Sequence, residues 1–165
     1  MRGSLQAEDS VAEPAFDCKR CGHCCHGSGG IVMTATDRAR LAAHLKLDEE
    51  TMLQRFAERA GEKYRLRIRE DGYCVFFQLG HGCAEHPGRP DICRAWPFFR
   101  GNLVDAVSWE MIQSDCAGVN AKAGHQAFVE EGVAYLLENQ LIHQPGPEAP
   151  NALVIDLAQL TRRGK

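Results

Sequence analysis

Four cysteines fall within one short stretch as Cys18-x-x-Cys21-x-x-Cys24-Cys25, and four more follow at Cys74, Cys83, Cys93 and Cys116. A thiolate is a soft, negatively charged donor suited to zinc, iron and iron–sulfur clusters. A two-residue spacer lets the chain turn back so that two sulfurs reach one ion at about 2.3 Å, with backbone N–H groups facing the thiolates. A third cysteine after another such spacer fits three corners of a cubane cluster, as in the bacterial ferredoxin run. The pattern departs from that run at its fourth position, because Cys25 directly follows Cys24. Adjacent side chains tend to point apart, which predicts two sites, or one site with a free or bridging thiol. The downstream cysteines contain no second two-residue knuckle of the kind that completes a zinc ribbon. One allocation gives Cys18, Cys21 and Cys24 a fourth ligand from downstream and groups Cys25 with the remaining three.

Cysteine-rich chains of another kind, small secreted domains, use their thiols in disulfides. This chain of 165 residues is longer than such scaffolds, and its first fifteen residues lack the basic start and apolar run of a secretory signal. Metal ligation in a reducing, cytoplasmic setting is therefore the expectation. His23, His26, His81 and His86 lie near cysteines but rank behind sulfur, while His44, His125 and His143 read as surface residues. Lys19, Arg20, Arg89 and Arg94 adjoin cysteines and can offset thiolate charge; Arg94, beside Cys93 at a helix start, carries the most weight. If a thiol acts as nucleophile, Cys25 is the candidate, being hardest to place in the first site. No Gly-x-Ser-x-Gly elbow, phosphate loop or His-Glu-x-x-His helix is present, which removes the commonest hydrolase signatures. Whether the chain is an enzyme stays open.

Composition bounds the partners. A hydrophobic share of 44%, a charged share of 25% and a net charge of -3 describe an ordinary globular protein without a pull toward nucleic acid or an anionic membrane. No apolar run approaches the eighteen or so residues of a membrane span. Metal ions and an unidentified protein partner or substrate remain.

The elements that must position the cysteines read as α+β: a small antiparallel sheet with flanking helices around a cysteine-rich metal centre. Residues 1–15 read as a disordered lead-in, 16–144 as the cysteine-cluster domain, and 145–165 as a linker and C-terminal tail. Thr34-Ala-Thr-Asp37 matches a capping box that opens a helix. A second helix is expected from Asp48 to a stop at Gly61. Tyr64, Leu66 and Ile68 alternate with Arg65, Arg67 and Arg69, the period of a half-exposed strand. Asp71-Gly72 predicts a turn returning through Tyr73–Phe77. Pro90 suits the start of a short helix bearing Cys93 and Arg94. Leu103–Trp109 reads as a strand and Gln126–Glu138 as a helix.

Phe16-x-Cys-x-x-Cys-Gly-x-Cys-Cys, the Gly82-Cys83 pair and Arg89-Pro90-x-x-Cys93-Arg94-x-Trp96-Pro97 together resemble the YkgJ-type cysteine-cluster family. That family is also described as the CxxCxxCC domain, a zinc- or iron-chelating domain by expectation. The resemblance covers about Phe16 to Gly118 and implies that all eight cysteines are candidate ligands. It implies family-pattern roles for Arg89, Pro90, Arg94 and Pro97. A related pattern in bacterial flagellin lysine methylases implies an iron–sulfur cluster. The expectation is a thiolate-ligated centre holding iron or an iron–sulfur cluster, in redox work or as the core of a modifying activity. A zinc-binding structural module, or a protein that chelates zinc or iron, is the alternative.

Overall fold

The structure, a computed structural model, describes residues 12–27 and 29–162. A 3-10 turn at His23–Cys25 leads to β1 (Val32–Met33), α1 (Ala35–Leu45) and α2 (Glu49–Phe56). β2 (Ala57–Ala60) and β3 (Lys63–Leu66) follow, then β4 (Phe77–Gln78) and β5 (Gly82–Cys83). The rest is helical: α3 (Asp91–Ala95), α4 (Arg100–Val104), α5 (Ala106–Asp115), α6 (Gly124–Glu138) and α7 (Leu157–Arg162). The fold is α+β, with an antiparallel sheet in the order β1-β3-β2 and a separate antiparallel pair β4-β5.

Local chemistry explains where the elements begin and end. The capping box forms as expected: Asp37 N donates to Thr34 Oγ1 at 3.1 Å, and Thr34 N donates to Asp37 Oδ2 at 2.9 Å. Asp48 caps α2 by accepting from Thr51 N at 2.8 Å. The helix expected to run to Gly61 stops at Phe56, because Ala57–Ala60 pairs with Lys63–Leu66. Gly61, with φ at +66°, turns that hairpin. Helix stops and tight hairpins both recruit a glycine in left-handed backbone, so the same residue fits either reading. Leu103–Trp109, expected as a strand, is helical on both sides of Asp105, whose carboxylate caps α5 by accepting from Ser108 N at 2.9 Å. The turn at Asp71-Gly72 forms, with Arg69 N donating to Tyr73 O at 2.8 Å, and the returning chain makes an isolated bridge between Ile68 and Cys74.

Two hydrophobic cores result, and no buried residue belongs to both. One gathers Met33, Leu41, Met52, Leu66, Cys74 and Phe76 from the first half. The other gathers Phe98, Leu103, Trp109, Phe128, Leu136 and Leu153. Leu153 and Ile155, in the segment expected as linker and tail, are buried in this second core. The lead-in expected over residues 1–15 falls outside the described residues up to 11. At its end Ala15 is buried and donates its N–H to Glu131 Oε2 at 2.6 Å. The strand arginines are engaged locally: Arg65 with Glu58 at 2.8 Å, Arg67 with Ala57 O at 2.8 Å, Arg69 with Asp71 at 2.9 Å. Among the described residues no helix is long and apolar enough to cross a membrane.

An ionic joint ties the halves. Arg40 Nη2 donates to Asp37 Oδ1 at 2.6 Å, to Asp91 Oδ1 at 2.8 Å and to the Arg89 carbonyl at 3.1 Å. Asp91 N donates to Asp37 Oδ1 at 2.8 Å, Arg94 Nη1 reaches Asp91 Oδ1 at 3.1 Å, and His143 Nε2 meets Asp91 Oδ2 at 3.1 Å. His143, expected on the surface, is thus part of a largely buried network. Replacing Asp91 by Ala leaves Arg40 and Arg94 without their shared carboxylate. Breaking such a pair typically costs about 3–5 kcal/mol, so urea unfolding of Asp91→Ala should show a loss of that order. A loss under about 1 kcal/mol, the range of an exposed pair, would mean the joint contributes little.

Candidate metal centre

The cysteine loop is pinned to both halves by main-chain bonds. Phe16 bridges Val119, and Asp17 N donates to Gly118 O at 2.9 Å. At the other end Cys74 N donates to Cys25 O at 2.7 Å, and Gly27 N donates to Gly72 O at 3.0 Å. Between these anchors Gly22 sits at φ +86°, where a Cβ would lie 2.3 Å from Phe77 Cε2. Only glycine fits there. Its carbonyl accepts from Cys25 N at 2.9 Å and closes the 3-10 turn. That turn sets Cys24 and Cys25 side by side with their thiols hydrogen-bonded, against the expectation that neighbours point apart.

The downstream cysteines arrive from separate elements. Cys74 follows the Asp71-Gly72 turn into the first core, Cys83 lies in β5 opposite Phe77, Cys93 lies in α3, and Cys116 ends α5. A small cavity of about 40 Å³ is lined by Cys24, Cys25, Cys74, Cys83 and Cys93. A larger one of about 510 Å³ is lined by Cys18, Cys21, Cys24, Cys25, Cys83, Cys93 and Cys116. Every cysteine therefore borders one cavity or the other, and all eight are free thiols. Among the described residues, no three His, Cys, Asp or Glu side chains stand close enough together to hold one ion as they are. Of the histidines, His23 and His86 border the larger cavity; His26 borders a third, of about 570 Å³, beside Tyr73 and Trp96. His44 pairs with Glu85 at 2.8 Å, and half-buried His125 bonds the Asn102 carbonyl at 2.8 Å.

The thiols differ in acidity for identifiable reasons. A hydrogen bond from Cys25, helped by the Arg89 charge, pushes the Cys24 thiol down to about 7. The same bond, with burial, pushes Cys25 up, so the nucleophile expectation reverses in favour of Cys24. Burial is the leading cause that raises Cys74, Cys83, Cys93 and Cys116. Mutual charge effects centre on Cys24: Cys116 feels it together with Cys21, and Cys25, Cys74, Cys83 and Cys93 each feel it as well.

Although Arg20 and Arg94 also border the larger cavity and Arg69 lowers Cys74, Arg89 is the arginine whose charge reaches the most sulfurs. Its charge lowers Cys24, Cys83 and Cys93, and it borders both cysteine-lined cavities. Arg94 is held by Asp91, and Lys19 is turned to Asp17 at 2.5 Å. Sequence adjacency to a cysteine does not separate Arg94, paired with Asp91, from Arg89, which has no such partner among the described residues. The role of Asp37, Arg40 and Asp91 in holding this wall was missed, although Asp91 opens the helix that Pro90 announces. As a donor set, sulfur dominates the small cavity, with Glu85 the one carboxylate among its described lining residues. That chemistry fits zinc or thiolate-bound iron and disfavours hard, oxygen-seeking cations.

Residues 17–117, more than half of the chain, match the model of the CxxCxxCC family, described as "Putative zinc- or iron-chelating domain", and the chain belongs to that family. No solved structure matches the chain.

The acidity order has a direct readout. In metal-free protein, alkylation by iodoacetamide should gain a fast phase as pH rises through about 7, where Cys24 becomes thiolate. The buried thiols should follow only at alkaline pH. Cys24→Ser should remove the fast phase, and its persistence in that variant would place the acidic thiol elsewhere.

Proposed function

We propose that this member of the CxxCxxCC family holds two thiolate-ligated metal centres that meet at the adjacent pair Cys24 and Cys25. Cys18, Cys21, Cys24 and Cys116 form the outer ligand set, and Cys25, Cys74, Cys83 and Cys93 form the inner one. One observation carries the reading: eight cysteines from distant stretches border two adjoining cavities, with Cys74 at the small one alone and Cys18, Cys21 and Cys116 at the large one alone. The charge of Cys24 reaches Cys25, Cys74, Cys83, Cys93 and Cys116 alike, which supports a junction of the two sets at this residue. Some movement of the thiols accompanies loading, since metal binding and local folding are coupled and the ligands must lose their protons.

An iron–sulfur cluster at the outer set would accept and release single electrons, suiting a redox protein or the cluster-bearing core of a modifying activity. The ferredoxin-like spacing of Cys18, Cys21 and Cys24 and the open 510 Å³ mouth support it. The inner cavity, at about 40 Å³, has room for a single ion; a water needs roughly 10–15 Å³ by the same kind of measure. This chain's residues do the remaining work: Gly22 permits the turn, the Asp91 joint fixes α3 beneath Cys93, and the first core shields Cys74. The small buried inner site favours a second reading, in which zinc occupies both sets and serves structure, partner binding or metal handling.

Protein purified without oxygen and analysed for iron, zinc and acid-labile sulfide separates the readings. Iron with sulfide and broad visible absorbance is the expected result. Cys21→Ser should bleach that absorbance yet keep one tightly held ion, whereas Cys74→Ser should lose that ion and unfold at lower urea. A colourless protein with two zinc ions would reject the cluster in favour of the second reading. Protein with neither metal under these conditions would reject both.

A further inference from the structure

Arg89 is a cation without an anion. Among the described residues no carboxylate pairs with its side chain, while Arg40 and Arg94 on the same wall share Asp91. Its Nη1 meets His86 Nε2, and burial together with the Arg89 charge keeps that imidazole below its usual range, so the ring serves as a neutral acceptor. Its Nε is buried and has no hydrogen-bond partner. Arg89 is half-buried, and a buried N–H left in this state is costly, because neither water nor a counter-charge repays its desolvation. The groups it does face are sulfurs: Arg89 borders both cysteine-lined cavities, and its charge reaches Cys24, Cys83 and Cys93.

We propose that Arg89 is the counter-ion of the loaded centre, a positioning residue whose Nε–H donates to a metal-bound cysteine sulfur of the inner set. The inference rests on the metal-binding reading above. Four thiolates around a divalent ion carry a net charge of -2 by simple addition, two negative charges in excess of the metal's own. A guanidinium held at the wall of such a site supplies the missing cation and a directed donor at once, as outer-shell partners of metal ligands commonly do. His86 in turn holds Arg89 from the side away from its unpaired Nε. The orphaned donor is then satisfied in the loaded protein, and the charge that burdens the metal-free fold becomes an attraction.

Zinc(II) alone serves as the probe, with retention measured by competition against a chromogenic chelator. R89M should weaken zinc retention about tenfold or more, the range found for outer-shell substitutions. R89K, which keeps the charge while losing the Nε donor, should recover a large part of that loss. If R89M fails to fold, R89Q against R89K decides in the same way. The proposal is overturned if the neutral variant holds zinc as tightly as the wild type. It is equally overturned if R89K is as weak as the neutral variant, since the charge then plays no part. A wild type that binds neither zinc nor iron would instead remove the metal-binding reading itself, and this inference with it.

Discussion

The two apolar cores share no buried side chain, so hydrophobic packing alone does not fix how the halves of this domain meet. Packing is non-directional, and each core is satisfied on its own. The register between them is set by polar groups: the carboxylates of Asp37 and Asp91 around Arg40, and the loop bonded to Gly72 and Cys74 on one side and to Gly118 on the other. Such contacts are short-range and directional, which is what a site with ligands from both halves requires. Cys74 belongs to the first core, while Cys116 ends a helix of the second. In the proposed arrangement each ion is therefore also a cross-link across the seam, and metal and ionic joint constrain the same degree of freedom.

Burial and charge oppose one another at this seam. Removing a thiol from water favours its protonated form, and that effect leads at Cys74, Cys83, Cys93 and Cys116. Without metal, Cys74, Cys83, Cys93 and Cys116 are thus most comfortable protonated, while Cys24 ionises more readily. An ion must displace those protons. A site built this way resists weak or hard cations and yields to soft ones whose bonds to sulfur repay deprotonation.

Features encoded locally were legible in the sequence, and features decided across space were not. The Thr34–Asp37 box, the Asp71-Gly72 turn and the short helix after Pro90 each depend on neighbours within a few residues. The end of α2 was misread because Gly61 suits a helix stop as well as a hairpin, and only the pairing of Ala57–Ala60 with β3 decides. Leu103–Trp109 looked like a strand from its apolar and branched residues, yet the cap at Asp105 and the burial of Leu103 and Trp109 in the second core favour helix. The cysteines were legible as a set from spacing. Which downstream cysteine would join Cys18, Cys21 and Cys24 was not, because that depends on where Cys74, Cys83, Cys93 and Cys116 lie in space. Arg89 was underweighted for the same reason: proximity along the chain says little about which of several arginines already has a carboxylate.

The vicinal pair has a consequence that separate motifs would lack. A thiolate at Cys24 raises the cost of ionising Cys25 through both their hydrogen bond and their mutual repulsion. An ion that takes Cys24 draws off that charge and frees the bonded proton, so Cys25 becomes easier to ionise for the inner site. Coupling of this kind is reciprocal in free energy: whatever loading the outer set does for the inner, loading the inner does for the outer. In the proposed arrangement, two sites joined through adjacent residues on one turn would fill and empty together more readily than sites on separate loops. The doubled cysteine that departs from the ferredoxin run would then be the pair that couples the two proposed centres.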